Sequence, residues 1–209
     1  MIATPVGELK FDRINHMYSL RGRRLESVTE VLERAGICDY TSTGLSRGEA
    51  LWRGSTVHEA IALDLEGDLD DRSVPEICAG YVEASRRFRR ERHFECELHE
   101  YYRHHKDYMY AGTLDAKGWA DLGEGKRRYL LDWKTGRAQS WVRYQLAAYA
   151  GFFESPGAEL RLCVELHSDG SYTLFEFSPA DFRSDYDIFL SALAVVRVRE
   201  KEKKLWPRS

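Results

Sequence analysis

Apolar and polar positions alternate in LKFDRINHMYSL on either side of Asn15, with a second turn expected at Arg21-Gly22, which predicts a small N-terminal β-hairpin. Ser27 then precedes VTEVLERAG with Glu30 three positions on, a capping-box spacing, and Gly36 supplies a stop, so a short helix follows. From about Ser46 to Leu65 the apolar residues Leu51, Trp52, Val57, Ile61 and Leu65 recur at helical spacing, interrupted by Gly54. This longer helix carries His58. A further helix is predicted from Pro75 or Glu76 to Arg92, with proline in its first turn.

The pattern then changes period. FECELHEYYRHH, YMYAGTLDAKGWADL and KRRYLLDWKT are rich in aromatic and apolar residues and separated by charged or glycine-containing turns, which predicts three consecutive strands in an antiparallel meander. SWVRYQLAAYAGFF returns to helical spacing through Trp141, Gln145, Tyr149 and Phe152 or Phe153. Two more strands, ELRLCVEL and SYTLFEF, are joined at HSDG, where Asp169-Gly170 signals a hairpin, and Pro179 opens a last helix ending near a basic tail. This order predicts an α/β (α+β) fold, a central mixed sheet flanked by helices. One domain is expected over residues 1–209, with the hairpin and His58-bearing helices in 1–93 and the sheet core with its flanking helices in 94–209.

Composition narrows the class. Hydrophobic residues at 43% and charged residues at 31% suit a water-soluble globular chain, and no apolar run approaches the roughly 18 to 20 residues that span a bilayer. The segment MIATPVGELKFD has no basic start followed by an apolar stretch, so no secretory signal is expected and the location expected is cytoplasmic. Cys38, Cys78, Cys96 and Cys163 form no C-x-x-C pair and read as ordinary thiols. A net charge of -3 argues against coating nucleic acid by bulk electrostatics but leaves local patches open, notably Arg86, Arg87, Arg89, Arg90 and Arg92, and the tail from Arg197 to Lys204.

The residues that suggest chemistry lie in the predicted meander. Asp132 and Lys134 in LLDWKTG are two apart, so a strand points both to one face. The carboxylate suits a divalent ion and the ammonium suits charge developing on a phosphate, although the same spacing also occurs in surface ion pairs. Asp115 in YAGTLDAKG lies on the preceding strand, within reach of a shared metal if the register aligns the two carboxylates. Hard oxygen ligands favour magnesium or manganese.

At these residues the chain resembles the PD-(D/E)XK nuclease superfamily, and more closely its RecB-like exonuclease branch, which includes phage and mitochondrial genome-maintenance exonucleases. His58 in WRGSTVHEAI matches the family's early histidine, Gly112 to Asp115 its G-x-x-D, Asp132 to Lys134 its D-x-K, and Gln145 to Tyr149 its Q-x-x-x-Y. The motifs cover roughly residues 15 to 153 in the expected order. The resemblance implies a restriction-endonuclease-like core and a metal-dependent deoxyribonuclease. It assigns His58, Asp115, Asp132 and the Trp133 carbonyl as metal ligands, Lys134 as the catalytic lysine, and Gln145 and Tyr149, one helical turn apart, as positioning groups. An acidic residue is expected on the strand before G-x-x-D. Glu97 is the choice, with Glu95 and Glu100 competing.

The cofactor implied is Mg2+ or Mn2+, and no iron-sulfur cluster is expected, because the end of the chain lacks a cysteine cluster. DNA is the implied partner, as single-stranded or duplex ends, with Arg86, Arg87, Arg89 and Arg90 as candidate phosphate contacts. Tyr101, Tyr102, Tyr108 and Trp141 are candidate stacking platforms. An exonuclease is preferred. A structure-specific or restriction-type endonuclease and a catalytically silent nucleic-acid-binding subunit are the alternatives.

Overall fold

The computed structural model describes residues 9–13, 15–38 and 46–205. Within them lies a mixed α/β fold in which a central mixed sheet of eight strands is flanked by five helices. The hairpin expected around Asn15 is β1 (Leu9–Asp12) with β2 (Met17–Leu20), and the Arg21-Gly22 turn adds β3 (Arg23–Ser27). That turn places Arg21 at φ 51 and Gly22 at φ 77, the paired left-handed conformation that suits a two-residue hairpin.

Helix α1 (Val28–Ala35) is capped by Ser27, whose side chain accepts from the Glu30 amide, and ends at Gly36 with φ 81. Glu30 does not complete the box; its carboxylate pairs with Arg24 and Arg34 instead. The complete capping box belongs to α2 (Arg47–Glu66), between Ser46 and Glu49. Helix α3 (Glu76–Glu91) starts after Pro75. The meander is β4 (Glu95–His104), β5 (Tyr110–Asp121) and β6 (Lys126–Lys134), followed by α4 (Val142–Ala150), β7 (Leu160–Leu166), β8 (Tyr172–Phe177) and α5 (Phe182–Leu205). Pro179 opens a single 3-10 turn, Pro179–Asp181, that leads into α5 rather than the helix itself. No helix among the described residues is long and apolar enough to cross a membrane.

β6 and β7 pair in parallel at the centre of the sheet, so both of their faces are covered. Leu130 and Cys163 pack against α1, α4 and α5 through Val31, Leu146 and Phe189. Their neighbours Leu131, Trp133, Leu162 and Val164 pack against α2 and α3 through Val57, Ile61 and Phe88. On the first side, fully buried Arg161 is held with Asp185 of α5, 2.7 Å away, and Asp185 also receives Arg143 of α4 at 2.6 Å. This ion cluster ties α4 and α5 to β7.

The arrangement around β5 positions the site. β4 runs along one edge of β5 from Ala111 to Trp119, so β3 and β6 share the other edge. β3 meets that edge in parallel at Tyr110 and Ala111, and β6 meets it antiparallel from Ala116 to Asp121. Between them, among the described residues, positions 112–115 have no strand partner on that side. Diverging strands of this kind leave a crevice in an open sheet, the usual place for a site.

Candidate functional site

The unpaired stretch of β5 is the G-x-x-D segment, and its glycine has a steric reason. A Cβ on Gly112 would stand 2.7 Å from Tyr149 Cε1 and 3.2 Å from Val28 Cγ2, so the missing side chain lets α4 lay the Tyr149 ring on the strand. Asp115 closes the stretch. Where a strand carbonyl would normally accept, its Oδ2 takes the Trp133 N–H at 2.8 Å.

Three elements meet here. His58, from α2, places Nδ1 3.4 Å from Asp115 Oδ1 and Nε2 2.9 Å from the Trp133 carbonyl oxygen. Glu100, from β4, joins them: one ligand atom from each of His58, Glu100 and Asp115 lies within 4.8 Å of the other two. Beside this group, Lys134 Nζ lies 2.6 Å from Asp132 Oδ2 and donates to Gln145 Oε1 at 3.1 Å. Gln145 Nε2 in turn donates to the Tyr149 hydroxyl at 3.0 Å. Strand alternation puts Asp132 and Lys134 on the α4 face, and the spacing of Gln145 and Tyr149 puts both on the face of α4 turned towards them.

Not all expected ligands enter one group. Asp132 is not part of the trio and faces Lys134; its buried Oδ2 has the ammonium close by but without the alignment of a hydrogen bond. Of the three acidic candidates on this strand, the structure brings Glu100, and not the expected Glu97, beside Asp115. Glu97 accepts from Trp119 Nε1 at 2.9 Å and from Arg128 Nε at 2.5 Å, while Glu95 pairs with Lys126. The cause is a bulge. The register slips between Cys96 and Leu98, so the side-chain alternation turns over after Glu95, and Glu100 falls between His99 opposite Ala116 and Tyr101 opposite Leu114, across from Asp115. Glu100 also has φ 45, a strained conformation for a residue with a side chain. The sequence carries no turn residue at 96–98 that would have signalled the slip.

The charges are strongly coupled. Burial pulls the His58 imidazole down, but the charge and hydrogen bond of Asp115 and the charge of Glu100 outweigh it and bring its pKa to about 9. Burial and the neighbouring Asp115 push Glu100 up to about 7. Burial likewise raises Asp132, to about 6, against the pull of Lys134. Asp115 is held below the usual carboxylate range: burial alone would raise it, and His58, Lys134 and the Trp133 N–H reverse that. Lys134 stays protonated, because Asp132 and Asp115 outweigh the cost of burying it.

These residues fit a divalent ion. Two carboxylates and an imidazole converge, one carboxylate is short of a compensating cation, and oxygen-rich donors suit magnesium or manganese. The protonated lysine next to them is placed to neutralise an anionic ligand.

The α3 arginines expected to contact phosphate all have carboxylate neighbours. Arg86 and Arg89 are held by Asp64, with Asp71 also on Arg86, whereas Arg87–Glu91 and Arg90–Glu83 are pairs on the exposed face of the helix. Of the candidate stacking residues, Trp141 is buried with its ring 5.2 Å from Lys134 Nζ, and Tyr102 packs with Phe11; Tyr108 is exposed. Tyr18 of β2 was not singled out from sequence. Its hydroxyl sits 2.7 Å from Thr113 Oγ1 and seats the hairpin beside the site. Against known proteins, the chain matches no protein-family profile and no curated sequence.

Proposed function

We propose that this chain is a metal-dependent deoxyribonuclease of the PD-(D/E)XK type, hydrolysing phosphodiester bonds from DNA ends. The observation that carries the reading is the convergence of His58, Glu100 and Asp115 from three separate elements, with Lys134 alongside. Lys134 and His58 are each only partly exposed and lie against carboxylates of this one group.

In this reading His58, Glu100 and Asp115 hold Mg2+ or Mn2+, with Asp132 and the Trp133 carbonyl adjoining. The bound ion would supply activation of water and neutralisation of charge on the phosphate. Lys134 contributes a fixed positive charge towards the phosphoryl oxygens, where charge builds in the transition state. Gln145 holds the ammonium in place by accepting from it, and Tyr149 fixes Gln145 in turn. His58 must give up its proton to become a ligand, so metal loading releases a proton.

Preference for ends over internal bonds rests on the resemblance of the sequence motifs. The test is time-resolved cleavage of linear single-stranded, linear duplex and circular single-stranded DNA with magnesium, manganese or EDTA. Metal-dependent shortening of linear DNA, lost in Asp132→Ala and Lys134→Ala with circular dichroism unchanged, is the expected result. Cleavage of circles favours the endonuclease, and no metal-dependent cleavage of any substrate refutes the proposal.

A further inference from the structure

A second group of side chains opens next to this site, on the same helix. Gly54 and His58 lie one turn apart on α2. A Cβ on Gly54 would stand 3.9 Å from Thr135 Oγ1, while His58 meets the Trp133 carbonyl. The helix therefore runs antiparallel to residues 133–135 and carries Arg53 about 7 Å beyond His58 along its axis. There a cleft of about 320 Å³ is lined by Arg53, Tyr81, Thr135, Arg137, Glu165 and His167, among others.

The cleft gathers unmatched donors. Arg53 Nε is buried with no hydrogen-bond acceptor among the described residues, and its guanidinium has the Tyr81 ring as its neighbour, 5.2 Å from the centroid. Arg137 is exposed and, among the described residues, forms no ion pair. Thr135 is 9% exposed, and its hydroxyl has no hydrogen bond among the described residues. The acid in the lining is already engaged: Glu165 Oε2 accepts from the Ala138 N–H at 2.6 Å, and its Oε1 lies 3.8 Å from His167 Nδ1. His167 Nε2 is 2.9 Å from Thr173 Oγ1. The contrast with α3, whose four arginines are all paired with carboxylates, is what singles out Arg53 and Arg137.

We propose that this cleft is a phosphate subsite for the strand being cut, in which Arg53, Arg137 and the Thr135 hydroxyl take a phosphate neighbouring the one at the metal site. A guanidinium is always protonated and presents paired donors that match phosphate oxygens. An axial offset of about 7 Å between the positions of Arg53 and His58 on the helix is on the scale of two nucleotides, at a rise of about 3.4 Å per nucleotide on each strand. The inference rests on the nuclease reading and adds the group that fixes the strand in register. The phosphate is either internal or the free terminal one, since both offer the same oxygens.

The test is binding of fluorescent single-stranded oligonucleotides in EDTA over a range of salt, using full-length wild type, Arg53→Gln, Arg137→Gln and the double variant. Each substitution is expected to weaken binding about tenfold, the scale of a charge-assisted hydrogen bond. Each is also expected to lower the salt slope by about 0.7, the loss of one phosphate contact to a single strand. A series of oligonucleotides carrying one neutral methylphosphonate each then locates the contact. Wild type loses affinity when one particular position is neutralised, and the double variant is indifferent there. Comparison of 5'-phosphate with 5'-hydroxyl oligonucleotides separates the sources: a difference abolished in the double variant assigns the terminal phosphate, and equal binding assigns an internal one.

Arg137 is exposed, so its variant is informative even if Arg53→Gln does not fold. Unchanged affinity and slope in the folded variants, or a double variant as sensitive to methylphosphonates as wild type, overturns the subsite. So does a wild type that binds no DNA. A wild type that binds through these arginines but never cleaves overturns the nuclease reading and leaves the subsite standing.

Discussion

Replacing Gly112 with alanine tests the packing on which the site is built. Gly112 does not occupy the left-handed region, so alanine is compatible with its backbone and on conformational grounds alone would stabilise slightly. What opposes it is space. The new methyl would stand 2.7 Å from Tyr149 Cε1 and 3.4 Å from its Cδ1, with Val28 Cγ2 at 3.2 Å on the other side, and Tyr149 is itself 4% exposed. Overpacking of this kind costs about 1–3 kcal/mol. At about 2–4 °C per kcal/mol for a domain of this size, a cost near 2 kcal/mol lowers the melting temperature by about 4–8 °C. Displacing the ring also moves the hydroxyl that fixes Gln145, and with it Lys134, so cleavage falls as well. Thermal melts of Gly112→Ala in wild-type, Tyr149→Phe and Tyr149→Ala backgrounds separate the causes. The phenylalanine background retains the offending carbon and the full penalty, whereas the alanine background removes it and shows a coupling of about 1 kcal/mol or more. A Gly112→Ala protein as stable as wild type, or one equally destabilised in both backgrounds, would show that the ring contact is not the reason for the glycine.

Other outcomes follow from the same geometry. Glu100→Gln is expected to raise the manganese concentration needed for half-maximal cleavage about tenfold or more, and Glu97→Gln to leave it nearly unchanged; equal effects would return the ligand role to Glu97. Asp185→Ala strands fully buried Arg161 without its carboxylate and should cost about 3–5 kcal/mol in urea denaturation, a loss below about 1 kcal/mol being incompatible with the buried pair described above. Burial pushes the Asp64 carboxyl up, but Arg86 and Arg89 pull it further down, so its folded value lies below its unfolded one. Its contribution is present above the unfolded value and is lost as pH falls through the folded one. Asp64→Asn should therefore flatten the acid limb of the stability profile below about pH 4, and an unchanged limb would count against the pairing.

Much of this was legible because period and punctuation agree over long segments. The three-residue offset of Ser27 and Glu30, the proline before α3 and the Asp169-Gly170 turn each mark an element boundary close to where it falls. Asp132 and Lys134 share a face because an unbroken strand leaves no other arrangement. Glu100 was not legible for the opposite reason. A single inserted residue at 96–98 inverts the alternation, and bulges follow from strand twist and edge pairing rather than from residue type. The pairing of the α3 arginines was hidden too. Asp64, in the last turn of α2, and Asp71, in the turn that follows it, reach Arg86 and Arg89 only once α2 and α3 pack together. The unmatched Arg53 was passed over because one isolated arginine is indistinguishable from a solvated one until its surroundings are known.

The gap between β3 and β6 along β5 bears on how the site should be dissected. Asp115 serves there as a surrogate for a missing strand, closing a main-chain hydrogen bond as well as facing His58. Truncating it to alanine removes a charge and orphans an amide in one stroke, so lost activity would combine local unravelling with lost chemistry. Asparagine keeps a carbonyl oxygen for the Trp133 N–H and removes the charge together with the acceptor that faces His58. Comparing the two substitutions divides the residue's scaffolding duty from its electrostatic one.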